Sequence, residues 1–228
     1  MPKTLQHARA AARLAALAAG ALLLAALPAA AQQGFKFSTE DETDKAREAQ
    51  RRETIQAQLA TPCRNKIKNQ KIMVLIGENQ AGRILASQGS YRPHFEAINS
   101  RLRSLGLRTY TQAEITAQVA QAELEAHFRN DPDAAIGAAK RLAAQYVLKG
   151  LITTQAVRNS MINVNQVNVS MNFTLTGADG RTISQASAQD ASYSGSDTTG
   201  MALTLINERA DEVVARLYSD YCRAAGVR

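Results

Sequence analysis

The 228-residue sequence has no tryptophan, three histidines and two cysteines. Beyond the first 31 residues, the histidines are His94 and His127, far apart in the chain. A closed zinc site takes four ligands, which two cysteines and two distant histidines do not supply as a motif. A nucleophilic triad needs a Ser or Cys next to a His, and the sequence has no G-x-S-x-G turn. We therefore expect His94 and His127 to be surface or capping residues, and we expect no metal, no cofactor and no catalytic set.

A second long hydrophobic stretch is also missing. The first stretch follows basic Lys3, Arg9 and Arg13, runs through an Ala/Leu segment and ends in Ala29-Ala30-Ala31. This pattern predicts a signal peptide over residues 1–31, although a membrane anchor of similar length is an alternative. No cysteine directly follows the stretch, so no lipidated N-terminal cysteine is expected. After cleavage we expect no integral membrane segment and a soluble periplasmic or secreted protein.

Charge of one sign is not strongly dominant once that segment is removed. Residues 1–31 hold three basic residues and no acidic one, so the formal net charge falls from +7 to +4. This composition does not indicate a nucleic-acid partner. One local cluster stands out, formed by Arg64, Lys66, Lys68 and Lys71. It is explained either by a solvated approach to a strand or by a basic patch that docks an acidic partner or an anionic envelope surface.

The two cysteines, Cys63 and Cys222, flank the remaining sequence. In an oxidising compartment an even pair indicates a disulfide, and two separate buried thiols are the alternative. Residues 32–61 are polar and charged, which predicts an N-terminal extension that is helical or partly disordered. The domain itself is predicted to span residues 62–228.

Hydrophobic periodicity predicts alternating strands and helices. The continuous apolar run 72–76 is typical of a buried parallel strand, and a further strand starts at Tyr146. Residues 167–175 alternate strictly between apolar and polar, continue through an Asp-Gly turn and return as a weak edge strand over 183–193. We expect a bulge near residues 165–166, one helix after the capping box at Thr111, and a closing amphipathic helix from Met201.

The polar side of the alternating strand is the unusual surface. Its residues are Asn168, Ser170, Asn172 and Thr174, and Asn163 lies nearby in sequence. Either this is a solvated sheet face, or it is a binding surface that uses amides and hydroxyls for a glycan or a peptide.

The order of these segments resembles the curli-secretion (CsgG-type) domain, the LpoB-type activator of penicillin-binding proteins and the N-terminal domain of TolB. The resemblance is carried by the stretches DAAIGAAKRLAAQYVLKGLI and NVSMNFTLTGADGRTISQ and by the closing helix. It implies an α/β fold, a three-layer α/β/α sandwich with a mixed sheet of about five strands. It also implies a non-catalytic role in envelope assembly. Curli-type and activator-type members are lipoproteins, whereas this chain lacks the lipidated cysteine. Its short turns also leave no room for the membrane hairpins of the pore-forming members, so a secretion pore is not expected.

The sequence thus predicts a periplasmic accessory protein that docks or regulates envelope machinery through protein contacts. Its partners would be envelope proteins, and an oligomer is left open. The competing hypothesis is a secreted hydrolase or glycan-binding protein, with Asp190, Asp197 or His94 as acid or base in the hydrolase.

Overall fold

The computed structural model describes residues 38–80, 83–86, 92–161 and 163–225. The predicted signal peptide over residues 1–31 lies outside them. The chain divides into two units, residues 1–48 and 49–228. Helix α1, Ser38–Leu59, begins in the first unit and ends in the second, within the segment predicted to be a charged extension. All other described elements belong to the second unit.

Six strands of the second unit form one mixed sheet. They are β1 (Lys71–Gln80), β2 (Arg83–Leu85), β3 (Arg108–Thr109), β4 (Tyr146–Asn159), β5 (Val164–Gly177) and β6 (Thr182–Ser194). The order is β2-β1-β4-β5-β6, and β3 pairs with β1. β1 runs parallel to β3 and β4, whereas the β1/β2, β4/β5 and β5/β6 pairs are antiparallel. The predicted mixed sheet is confirmed, with six strands in place of about five.

Helices pack on both sides of this sheet. They are α2 (Arg64–Ile67), α3 (Arg92–Ser104), α4 (Gln112–Gln118), α5 (Gln121–Phe128), α6 (Pro132–Leu142) and α7 (Thr198–Ala224). Helices α3 and α7 contact each other, and α7 also packs on β5 and β6. Helix α5 lies against the opposite side of β1, where a Cβ added to Gly77 would come within 2.7 Å of the Phe128 ring. A glycine at this position therefore permits the close approach of α5 to the sheet.

The apolar faces of β1 and β5 build the core. Met73, Val74, Leu75 and Ile76 of β1 are fully buried, as the continuous apolar run predicts for a strand covered on both sides. In β5, the alternating residues Val167, Val169, Met171, Phe173 and Leu175 are all buried. This side of β5 faces α7, the closing amphipathic helix that the sequence predicts.

The strand prediction is wrong about the bulge. Pairing between β4 and β5 runs without interruption from Asn159 and Val164 to Tyr146 and Gly177. Val164 lies on the polar side of β5, so no change of phase is needed to place Val167 in the core. The register shift instead lies between β5 and β6 at Leu175 and Thr176.

The helix predicted after Thr111 is two helices. The capping box is present, since the Glu114 N–H donates to the Thr111 side chain and the Glu114 side chain accepts from the Thr111 N–H. Val119 is extended, with φ −118° and ψ 120°, and ends α4. The break turns α5 so that Leu124 and Phe128 are buried, which a single helical stripe through Ala122 would not achieve.

Two further expectations are corrected by the structure. The basic segment after Cys63 is a short helix, Arg64–Ile67, rather than an extended approach to β1. Ile67 is buried, which draws this segment into a helical turn against the core. His127, expected to be a surface or capping residue, is 7% exposed because it lies on the side of α5 that packs against the sheet.

Candidate functional site

Strands β4, β5 and β6 present a polar face on the side opposite α7. We define the polar face by its side chains Lys149, Thr153, Gln155, Asn168, Ser170, Asn172, Thr174, Gln185, Ser187 and Gln189. Cross-strand pairing arranges them in rows, of which Thr153, Ser170 and Gln189 form one. Their side chains range from half-buried to exposed, although they belong to the strands that bury the apolar core on the other side.

Four of the five residues predicted for a binding surface lie together on this face. Asn168, Ser170, Asn172 and Thr174 occupy every second position of β5, and period two places them on one side. Asn163 does not join them. It lies in the turn between β4 and β5 with a positive φ of 54°, and its Oδ1 accepts two hydrogen bonds from the Arg158 guanidinium.

A first cleft of about 460 Å³ crosses the polar face. Its lining includes Thr153 and Gln155 of β4, Asn168 and Ser170 of β5, and Gln189 and Asp190 of β6. Amide and hydroxyl groups offer both donors and acceptors to a bound molecule. The cleft is therefore suited to hydrogen-bonding groups rather than to an apolar ligand.

A second cleft of about 270 Å³ lies where the polar face meets α5 and the start of α6. It is lined by Lys149, Thr174 and Gln185 from the sheet and by His127 and Asn130 from the helical side. The Lys149 ammonium donates to Asn130 Oδ1 at 2.6 Å. Burial lowers the pKa of Lys149 from its ordinary value.

His127 is the titratable group that sequence reasoning misplaced. Burial, and to a lesser extent the positive charge of Lys149, lowers the pKa of His127 to about 4. The imidazole is therefore neutral at physiological pH. Its Nε2 is buried and has no hydrogen-bond partner among the residues that the structure describes. The sequence could have indicated the burial of His127, because it lies three residues after Leu124 on the apolar side of α5. Recognising this spacing requires knowing where α5 begins.

The carboxylates of the rival enzyme hypothesis are engaged in structural contacts. Asp190 accepts from the Arg209 Nε at 2.7 Å beneath the sheet, and both side chains are about one-fifth exposed. Asp197 caps α7 and accepts from the Gly200 N–H at 2.8 Å. Burial lowers the pKa of His94, against the opposing effect of Glu78. Within the described residues, no group of three or more His, Cys, Asp or Glu side chains is arranged to hold a metal ion.

The cysteines meet at one corner of the fold. Cys63 and Cys222 form a disulfide with a Cα–Cα distance of 5.6 Å, and both are fully buried. Beside it, the Tyr218 hydroxyl donates to the Thr61 carbonyl at 2.6 Å and accepts from the Cys63 N–H at 3.3 Å. This corner joins the start of the domain to the end of α7.

The predicted basic patch lies next to that corner. Arg64, Lys66 and Lys68 are exposed, whereas Lys71 is half-buried at the start of β1. The Lys66 Nζ donates to the Ala225 carbonyl at 2.6 Å, which connects α2 to the end of α7. Lys66 therefore has a structural contact, and a docking role for the patch stays a prediction.

The core between α3, α7 and the sheet leaves little room for a ligand among the described residues. A cavity of about 20 Å³ between α3, α7 and the sheet is lined by apolar side chains and by three tyrosines. That volume is about the size of one water molecule. Among the helices that the structure describes, none combines the length and the hydrophobicity needed to cross a bilayer.

No protein-family model and no curated protein matches the sequence. Several solved structures are similar to it. The lipoprotein GNA1162 from Neisseria meningitidis is 14% identical, covering 59% of this chain and 93% of that chain at a TM-score of 0.43. The PelC dodecamer from Paraburkholderia phytofirmans is 17% identical, covering 66% and 91% at a TM-score of 0.40.

The C-terminal domain of LpoB from Salmonella enterica is also similar, with 16% identity, 57% and 93% coverage and a TM-score of 0.38. The LpoB-type resemblance was expected from the sequence, whereas the curli-secretion and TolB resemblances stay predictions. At these identities and TM-scores, the likenesses do not establish a family for the chain.

Proposed function

We propose that the chain is an exported, non-enzymatic accessory protein of the cell envelope that docks a protein partner on the polar face. The observation that carries the proposal is the polar face itself, where two clefts lie on the side of β4, β5 and β6 opposite α7. The signal-peptide pattern and the buried disulfide support an oxidising compartment outside the cytoplasm.

The chemistry of the face favours a partner rich in hydrogen-bonding groups. Interfaces between separately folded proteins are about as polar as the remaining surface and include about one hydrogen bond per 100–200 Å². Asn168, Ser170, Asn172 and Gln189 each offer donors and acceptors in fixed rows. Lys149 adds a positive charge at the end of the second cleft, which suits a carboxylate of the partner.

A hydrolase is the weaker candidate because two of its three proposed acid or base residues hold structural contacts. Asp190 lines the first cleft but accepts from Arg209, and Asp197 caps α7, so both carboxylates already hold structural hydrogen bonds. General acid–base catalysis requires a group within hydrogen-bond reach of the substrate. Replacing either Asp would therefore affect folding stability rather than reveal an activity.

Site-specific photo-cross-linking tests the docking role. A photoreactive residue replaces Asn172, at the exposed centre of the polar face, and the matched control carries it at Glu208, which is exposed on α7. The purified mature proteins are incubated with envelope extract, and the adducts are identified by mass spectrometry. We expect one discrete protein adduct from position 172 and none from position 208.

A substitution then confirms that the adduct reports binding. Asn168→Arg places a long charged side chain in the first cleft and should abolish the adduct from position 172. Equal adducts from positions 172 and 208, or no adduct at all, would reject the docking proposal. Retention of the chain on purified peptidoglycan, lost in Asn168→Arg, would support the glycan-binding alternative instead.

A further inference from the structure

Strand β6 has an open edge. One side of β6 pairs with β5, and no strand of the described residues pairs with its other side. From Ser184 to Ser194 the edge is regular, because the register shift with β5 lies before Ser184. An open edge presents backbone N–H and C=O groups that pair readily with another strand.

The segment 184–194 lacks most of the features by which proteins protect such edges. It contains no lysine, arginine, proline or glycine, and its one charged residue is Asp190. Asp190 points to the α7 side, where its Oδ2 accepts from Arg209 Nε at 2.7 Å, and its Oδ1 accepts from the Ala191 N–H at 2.9 Å. Natural edges are blunted by lysine, proline, a bulge, an inward-pointing charge or a covering helix or loop. Here the bulge protects the beginning of β6 and Asp190 covers the Ala191 N–H, which leaves the other edge N–H groups of segment 184–194 without a strand partner among the described residues.

From this edge we infer that β6 pairs with β6 of a second copy of the chain, antiparallel and about a two-fold axis at Gln189. This register overlaps all of segment 184–194 with its counterpart, since Gln189 is its central residue. A two-fold axis makes the interface self-complementary, as in most homodimers. The pairing would form about ten backbone hydrogen bonds, because each hydrogen-bonded residue pair of an antiparallel ladder exchanges two, and the Ala191 N–H of each copy would give up its contact with Asp190 Oδ1.

The side chains are compatible with this register. Gln189 lies opposite Gln189 of the second copy, where two amides can donate to and accept from each other. Asp190 lies opposite Ala188 of the second copy, so no like charges meet across the axis. Tyr193, which is 57% exposed, lies opposite Gln185 of the second copy, and the new strand covers part of its ring.

Self-pairing also changes what the polar face offers. In the dimer the polar sides of β5 and β6 continue into those of the second copy. The first cleft of one copy and the first cleft of the other then lie on one continuous sheet. A partner with two matching segments would then bind with increased avidity. The dimer does not depend on the docking proposal, and a monomeric chain would leave that proposal intact.

The test uses the mature chain and one substitution on the axis. Sedimentation velocity should show a dimer for the unchanged protein. Gln189→Lys places two ammonium groups directly opposite each other and should give a monomer, because like charges across a strand pair repel. Gln189→Glu should do the same. Both changes are at an exposed position, so circular dichroism should show the fold unchanged.

Mixing the two charged variants gives the decisive test of pairing through β6. Gln189→Lys and Gln189→Glu, each monomeric alone, should form a heterodimer when combined. The matched control is Asn172→Lys, which adds the same charge to the same face of β5 and should leave the dimer intact. A monomeric unchanged protein, a dimer that survives Gln189→Lys, or a mixture that stays monomeric would each overturn the inference. A monomer that gains an extended peptide on β6 would assign the edge to a different occupant.

Discussion

Loss of the Cys63–Cys222 cross-link should be the largest destabilisation available from a single covalent change. The disulfide joins residues 159 apart, so the closed loop contains every strand of the sheet. In the chain-entropy model, a loop of this length restricts the unfolded chain by about 5 kcal/mol. For a domain of this size each kcal/mol corresponds to about 2–4 °C in Tm, so we expect the reduced protein to melt about 10–20 °C lower.

Two forms without the disulfide separate the effect of the covalent cross-link on stability from the effect of sulfur packing. Both cysteines are fully buried, so the protein is reduced in denaturant and refolded with reductant present. The reduced protein keeps both sulfur atoms in the core and loses only the covalent constraint. Cys63→Ala with Cys222→Ala additionally loses the packing of the two sulfurs and should be less stable again.

Urea unfolding is the assay, followed by far-UV circular dichroism. Because the constraint acts mainly on the unfolded state, the reduced protein should also show a larger m-value, as its unfolded chain exposes more surface. Equal midpoints for oxidised and reduced protein would refute the entropic reasoning. Alkylation of two thiols in the native protein would refute the disulfide itself.

Two further predictions concern the sheet and α5. Gly150→Ala should destabilise the domain by about 1–3 kcal/mol in urea unfolding, because the new Cβ lies 2.8 Å from Ile76 Cδ1 and against the buried Phe173 ring. Gly195→Ala, with nothing within 4 Å of the added Cβ, should change stability by less than about 0.5 kcal/mol, and a similar loss at both glycines would contradict the packing argument. For His127 the folded pKa of about 4 lies below the unfolded value of 6.5, so the unfolded state binds the proton first as pH falls. Stability should therefore drop by about 3 kcal/mol between pH 6.5 and 4, and His127→Gln should remove that part of the pH dependence.

The fold was largely predictable because buried strands and helices place apolar residues at regular spacings in the sequence. The continuous run 72–76 and the alternation over 167–175 each permit one arrangement against a helix layer, and both occur. Boundaries were predicted less well. Val119 continues a helical stripe in sequence, yet it adopts an extended conformation so that Leu124 and Phe128 reach the core. The spacing of apolar residues along one segment does not predict this break, because the break depends on packing against the rest of the domain.

The candidate site was only partly predictable, for a different physical reason. Asn168, Ser170, Asn172 and Thr174 share a strand, so period two alone placed them on one side. Lys149, Gln185 and Gln189 come from two other strands, and their positions depend on registers that hydrophobic pattern does not specify on a polar face.

The register of a second strand on the open edge of β6 is likewise not specified by a hydrophobic pattern. The exposed side of β6 carries mostly polar, uncharged residues, so hydrophobic burial favours no single register with a second chain, and the proposed register rests on the two-fold symmetry about Gln189. On the two-fold axis, Gln189 of one copy lies opposite Gln189 of the other. A single substitution there therefore places two like charges opposite each other. A single substitution can therefore separate self-pairing through β6 from association through any other surface.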